Sequence, residues 1–159
     1  MFSHRSASAR NEQTLARNPK ARHDYHIMET WEAGLVLTGS EIKSVRAGKV
    51  SLKGAYGILR RGELWLEGMS IAPYESGGYA NHDRERPRKL LMHRREIRRM
   101  IGAVEQQGHA LVPLDVHLTK GYAKVTLALG KGKKLHDKRE DLKRKDAERE
   151  MARSMRQRR

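Results

Sequence analysis

Residues 50–72 read VSLKGAYGILRRGELWLEGMSIA, and this stretch decides the fold class. Tyr56, Ile58 and Arg60 alternate with Ala55, Gly57 and Leu59, the period of a strand. Arg61 and Gly62 supply a turn, because glycine accepts a positive φ at little cost. Glu63 to Glu67 gives the next strand, Gly68 allows a kink before Met69 to Ala72, and Pro73 ends the run. The stretch is therefore an antiparallel meander of short strands.

On the N-terminal side, Tyr25, Ile27, Glu29 and Trp31 share one face under a period of two, and Gly34 permits a bend that divides 25–37 into two pieces. Ser40 is read as the N-cap of a short helix over Glu41 to Arg46, with Gly48 closing it. Beyond the meander, residues 74–88 form a long polar loop containing Gly77, Gly78, Asn81, His82, Asp83 and Pro87. The clearest helix lies within LLMHRREIRRMIGAVEQQG (90–108). Ile97, Met100, Ile101 and Val104 repeat at helical spacing, Gly108 supplies the C-terminal cap, and Arg94, Arg95, Arg98 and Arg99 fall on or beside the outer face. His109 to Thr119 and Tyr122 to Leu129 make a final strand pair joined at Lys120 and Gly121.

The tally is about six strands and two or three helices, with no βα alternation, so the fold is mainly β. A small antiparallel OB-like barrel with flanking helices and a basic C-terminal tail suits it best, with an open α+β sheet as runner-up. No internal repeat is present. Residues 1–17 are polar and aperiodic and are expected to be disordered. Residues 18–130 form the domain, and 131–159 the tail.

Charge narrows the partner. The 159 residues carry a formal charge of +15. The tail alone holds 13 Lys and Arg against 6 Asp and Glu. It has no β-branched residue and no proline, and its apolar residues Leu135, Leu142, Met151 and Met155 are too few for a core. Such a segment is solvated alone and gains helix when a polyanion neutralises it. Phosphate is the natural ligand of a chain this basic. Aromatic residues are scarce, which favours recognition of a folded RNA by shape and phosphate over stacking on single strands. No apolar run reaches the ~20 residues of a spanning helix, the N-terminus lacks the apolar region of a signal peptide, and zero cysteines fit the cytosol. Neither a membrane nor DNA is the expected partner.

No enzyme constellation emerges. Gly48-Lys49 and Gly132-Lys133 lack the spacing and hydroxyl of a phosphate-binding loop. His23 and His26 have no cysteine and no acidic pair at ligand spacing, so no metal or other cofactor is expected. Ser51 and Ser70 have no triad context. Glu32, in the turn-like WEAG of a basic chain, offers acceptors only. It can take hydrogen bonds from base N–H groups or a ribose hydroxyl that Lys and Arg cannot serve. The arginines of 93–99 read equally as a solvated helix face or as RNA contacts.

Several long motifs then coincide: NPKARHDY (18–25), WEAGLVLTGSEIKSVRAGK (31–49), RKLL (88–91) and ALGKGKKLHDKR (128–139). Together they resemble the SmpB family, the SsrA-binding proteins of bacterial trans-translation, from Asn18 to the C-terminus. The resemblance implies a non-enzymatic OB-like barrel that binds the tRNA-like domain of tmRNA (SsrA RNA). It also implies a tail that lies in the vacant decoding centre and mRNA channel of a stalled ribosome and folds there. Elongation factor Tu and alanyl-tRNA synthetase are implied as partners through the RNA. By position, Glu32 matches the family's RNA-contacting carboxylate, Leu91 an apolar contact beside it and Lys124 a basic contact, with Asn18, Arg22, His23 and Lys43 nearby. On the ribosome side the resemblance points to His136, Asp137, Lys138 and Arg139, preceded by Lys131, Lys133 and Lys134 and succeeded by Lys143, Lys145, Arg149, Arg153 and Met155. Pro19 departs from the basic residue usual in that motif. The competing readings are a ribosomal or ribosome-assembly protein with a basic tail, and a nucleic-acid enzyme.

Overall fold

The computed structural model describes residues 12–74, 81–105, 108–133 and 135–157. In chain order the elements are β1 (Glu12–Arg17), α1 (Pro19–Asp24), β2 (Tyr25–Leu35), α2 (Gly39–Arg46), β3 (Val50–Ser51), β4 (Tyr56–Arg60) and β5 (Glu63–Glu67). They continue with β6 (Ser70–Ile71), β7 (Arg88–Leu91), α3 (Arg94–Val104), β8 (His109–Thr119), β9 (Tyr122–Gly132) and α4 (Leu135–Gln157). The main sheet runs β1-β8-β4-β5-β7-β2-β9, and β9 pairs back onto β8. Six strands thus close into an antiparallel ring, the expected OB-type barrel, and β1 extends one edge of β8 beyond the reach of β4.

The meander forms as read. β4 and β5 pair from Tyr56↔Glu67 to Arg60↔Glu63, and the turn places Arg61 and Gly62 at φ 54° and 77°. Lys120 and Gly121, at 51° and 83°, turn β8 into β9 in the same way. Two consecutive left-handed residues give a hairpin turn whose twist matches its strands. Ser70 and Ile71 instead form a two-residue strand paired with β3, outside the main sheet.

Other readings need correction. Residues 12–17, expected to be disordered, form β1 against β8, with Arg17 opposite Asp115; residues 1–11 lie outside the described set. The β2 strand is continuous through Gly34, and its irregularity falls between Ile27 and Glu29. That extra residue, the exposed Met28, reverses the facing of every later residue of the strand. Tyr25 and Ile27 therefore pack with Ala21, Val112, Leu114 and Ala128 outside the barrel, whereas Trp31 and Ala33 point into it. The single face predicted for Tyr25, Ile27, Glu29 and Trp31 is split. Gly130 lies under Tyr25, where a Cβ would come within 2.8 Å of the tyrosine's own Cβ.

Thr38, not Ser40, caps α2. Its hydroxyl accepts from the Glu41 N–H while the Glu41 carboxylate accepts from the Thr38 N–H at 2.9 Å, a capping box. Residues 88–91, predicted to pass from the long loop ending at Arg88 into the helix-bearing stretch beginning at Leu90, are strand β7; α3 starts only at Arg94 and ends at Val104, before Gly108. A fourth helix, α1, was not foreseen. The domain also extends past residue 130, because β9 continues to Gly132 opposite Tyr25.

The interior is filled by Val45, Leu52, Leu64, Leu66, Met69, Ile71, Leu90, Met100, Leu111, Val125 and Leu127, all at most 2% exposed. At its edge Arg88 and Glu41 are both fully buried. Arg88 Nε donates to Glu41 Oε2 at 2.7 Å, Nη1 to the Met69 and Arg84 carbonyls, and Nη2 to the Asp83 carbonyl. Arg86 pairs with the other carboxylate oxygen. This cluster ties α2 to the segment entering β7. Asn81 closes the base of the long loop by bonding both the N–H and the carbonyl of Tyr74. Residues 75–80, with Gly77 and Gly78, lie outside the described residues. No described helix is long and apolar enough to cross a membrane.

Candidate nucleic-acid interface

The β8–β9 hairpin and β2 build a polar cluster on the outer barrel wall. Pairing sets Asp115 opposite Thr126, His117 opposite Lys124, Glu32 opposite Thr126 and Gly34 opposite Lys124. Residues opposite each other in antiparallel strands share a face. Lys124 Nζ donates to Glu32 Oε1 at 2.9 Å. His117 Nε2 lies 3.0 Å from Glu32 Oε2, and its Nδ1 lies 2.7 Å from Asp115 Oδ1. Thr126 donates its hydroxyl to the same Asp115 oxygen at 3.0 Å. Glu32 stands at the outside of this cluster, 44% exposed, and the His117 ring at the inside, 6% exposed.

The environment sets the charges. Partial burial pushes the Glu32 carboxyl up, but hydrogen bonds and charges from Lys124 and His117 outweigh it and hold the pKa below the usual range. Asp115 is likewise pushed up by burial and carried below its ordinary value by His117 and Thr126. For His117 the hydrogen bond to Asp115, opposed by burial and joined by Glu32, raises the pKa. Glu32 is therefore an ionised acceptor at neutral pH, and each of its oxygens retains a lone pair for a ligand.

Leu91 completes the surface. It is 55% exposed at the end of β7, and its Cβ would lie 3.5 Å from a Cβ built on Gly34. A shallow depression is lined by Glu32, Gly34, Leu91, His93, Glu96 and Lys124. The structure thus brings together Glu32, Leu91 and Lys124, three residues far apart in sequence, beside His93 and Glu96 at the start of α3.

The remaining residues singled out from sequence lie elsewhere. Asn18 donates its amide to the Pro113 carbonyl at 2.9 Å, and its own N–H bonds Leu114, so it fastens α1 to β8. Arg22 is exposed on α1, and His23 pairs with Asp24 at 3.0 Å. Lys43 sits over the Tyr74 ring, 5.3 Å from its centroid.

The tail root is clipped to α1. Lys133 donates its N–H to the Asp24 carbonyl and its ammonium to the Arg22 carbonyl, pairs with Asp141 and is mostly buried; Lys138 lies 3.2 Å from Asp24. Lys131 is exposed at the end of β9, and Arg139, Lys143, Lys145, Arg149, Arg153 and Met155 are exposed along α4. The side chains of Lys134, His136 and Asp137 lie outside the described residues. The tail is one helix over Leu135–Gln157 in the isolated chain, where sequence reasoning expected helix on binding.

Sequence reasoning missed Asp115, His117 and Thr126. A signal was available: a tight turn at Lys120 and Gly121 fixes the register. Counting outward in twos from Thr119 and Tyr122 aligns His117 with Lys124 and then Asp115 with Thr126; the register breaks only beyond Asp115, toward Pro113.

A barrel wall that offers carboxylate acceptors and an apolar contact amid a large cationic excess defines an OB-type nucleic-acid-binding protein. Comparison with known proteins narrows this class. The chain belongs to the SmpB family, whose family model, described as SmpB protein, matches residues 15–157. It is 57% identical over 146 residues to the SsrA-binding protein of Bacillus licheniformis, covering 92% of this chain and 93% of that protein. It is 56% identical over 144 residues to the SsrA-binding protein of Nostoc punctiforme, covering 90% and 93%. A solved structure described as "tmRNA-SmpB: a journey to the center of the bacterial ribosome" superposes with a TM-score of 0.64 at 55% identity, over 75% of this chain and 84% of that one.

Proposed function

We propose that this chain binds the tRNA-like domain of tmRNA and delivers it to stalled ribosomes for trans-translation. The convergence of Glu32, Leu91 and Lys124 in one depression carries this reading. Lys124 meets phosphate or a base acceptor, Glu32 takes donors from bases or a ribose hydroxyl, and Leu91 offers an apolar contact. The tail contributes the second half. Beyond Asp141 the described side chains of its helix are all exposed, so it is free to enter the empty decoding centre and mRNA channel, where its cations face ribosomal phosphate. An occupied channel excludes it sterically, which distinguishes a stalled ribosome from a translating one without catalysis. The protein is a positioning factor of the bacterial cytoplasm, and elongation factor Tu and alanyl-tRNA synthetase meet it through the RNA.

A gel-shift titration tests the barrel half. Glu32→Ala raises net charge, so attraction to phosphate alone predicts tighter binding to the tRNA-like RNA; recognition by Glu32 predicts weaker binding. A second measurement separates this function from ribosome assembly. After a high-salt wash the purified protein retains tmRNA under the proposed reading, and ribosomal RNA under the other.

A further inference from the structure

We propose that His117 is a positioning residue for RNA recognition: an imidazolium, anchored by Asp115, that fixes the Glu32 carboxylate to receive its RNA donors. This rests on the reading of Glu32 as the RNA-contacting carboxylate.

The geometry carries the argument. Both ring nitrogens of His117 face carboxylate oxygens, at 2.7 Å toward Asp115 and 3.0 Å toward Glu32. An ionised carboxylate accepts and never donates. A neutral imidazole has one N–H, so one of the two contacts would set a lone pair against an anionic oxygen. Only the doubly protonated ring satisfies both. The surrounding groups agree. On β8 the ring has Asp115; on β1, Thr14 stands opposite it and Arg17 opposite Asp115; on β2 it meets Glu32; on β9, Lys124 is paired with it and Thr126 bonds Asp115. Removing the imidazolium proton would leave two carboxylates sharing a neutral bridge, with Lys124 and Arg17 as their counter-charges.

The arrangement is asymmetric, and this points to positioning rather than strand cohesion alone. Asp115 is the inner, doubly bonded anchor, held by Thr126 as well as by His117. Glu32 is the outer, half-exposed end. A free glutamate samples several rotamers on the surface, and a ligand must freeze them on binding. With one oxygen held by His117 and the other by Lys124, Glu32 presents its remaining lone pairs in a fixed direction, so binding loses less entropy. Lys124 is exposed to competing phosphate, whereas His117 is sheltered. His117 therefore keeps the carboxylate in place when RNA engages Lys124.

The experiment is a double-mutant cycle on the full chain, using a transcribed tRNA-like domain of tmRNA as probe and reading affinity from pH 6 to 9. The substitution His117→Gln is expected to weaken binding about tenfold, the worth of one charge-assisted hydrogen bond. In a Glu32→Ala background it is expected to cost nothing further. The wild-type affinity is expected to fall as pH rises through the raised pKa of His117, and the His117→Gln profile to be flat there.

Independent losses, or His117→Gln binding like wild type while Glu32→Ala is weak, overturn this proposal alone. Glu32→Ala binding like wild type overturns the underlying reading with it. Nitrogen-15 NMR of the unmodified protein gives a check that needs no variant. Both His117 ring nitrogens carry protons at pH 7 under the proposal, and a single-proton tautomer refutes it.

Discussion

Replacing Arg88 by Met probes how the barrel's rim is held. The change keeps a long unbranched side chain but deletes every donor of a guanidinium that is fully buried. Glu41 Oε2 loses its partner at 2.7 Å, and the carbonyls of Met69, Asp83 and Arg84 lose theirs. Arg86 still pairs with the other carboxylate oxygen, so the charge is not wholly abandoned. Breaking a buried pair from one side typically costs about 3–5 kcal/mol. For a domain of this size that corresponds to a fall in Tm of roughly 10–15 °C. Urea denaturation should show the loss as a lower midpoint with an unchanged slope. Two controls sharpen the result. Arg60→Ala breaks the exposed pair with Glu67, whose arginine is 58% exposed, and should cost less than about 1 kcal/mol. The double variant Glu41→Met with Arg88→Met removes both buried charges and should recover part of the loss, because the partner it takes from Arg86 belongs to a side chain that reaches solvent. An Arg88→Met protein within about 1 kcal/mol of wild type would refute the reasoning, as would a double variant no more stable than the single.

Acid should act on the same cluster. Burial pushes Glu41 up, but the Thr38 N–H, Arg86 and Arg88 bring its pKa below the ordinary 4.5. A depressed carboxylate contributes stability that is complete above 4.5 and lost as pH falls through the folded value; Glu41→Gln should flatten that part of a stability–pH curve. Gly130→Ala would place a methyl 2.8 Å from Tyr25 Cβ and should destabilise by about 1–3 kcal/mol in chemical denaturation. A stop codon after Lys133 should leave affinity for the tRNA-like RNA within about twofold, less than ~0.5 kcal/mol, and abolish tagging on stalled ribosomes in a reconstituted assay. Cutting after Leu129 should be worse, because Gly130 to Gly132 pair with Tyr25 to Ile27.

Much of this was legible in the chain because the relevant signals are local. The turn at Arg61-Gly62, the alternation of 122–129 and the helical spacing of Ile97, Met100, Ile101 and Val104 all act within one element. What escaped depends on pairing. β1 is polar, and only the free edge of β8 makes it a strand. β7 is four residues long and its Leu-Leu ending continues smoothly into a helical pattern, so period alone could not separate them. The β2 bulge left no glycine to mark it. Thr38 and Ser40 are both fair caps, and the reciprocal bond with Glu41 three residues on decides between them. For the site, Glu32 stood out as an acceptor-only carboxylate in a basic chain, Leu91 and Lys124 came from the family resemblance alone, and His117 and Asp115 required the hairpin register.

The register also sets a distance between the two proposed halves. Lys124 stands near one end of β9 and Gly132 ends it, eight residues on. At about 3.3 Å per residue the strand separates Lys124 from the tail root by roughly 26 Å. The tail then adds 23 helical residues, roughly 35 Å at 1.5 Å each. Both lengths are rigid: β9 is bonded on both edges, and Lys133 and Lys138 hold the helix root to α1. A barrel gripping one RNA therefore aims its tail, and does not merely tether it. Ten Gly-Ser residues inserted between Lys133 and Lys134 would break this link while leaving the barrel and the free length of the helix intact. The effective concentration of the tail at its site would fall from that of an aimed helix toward that of a flexible linker, in the millimolar range. RNA affinity should be unchanged while tagging slows. Full tagging speed with the insert would show that tethering alone suffices and that the strand is no ruler.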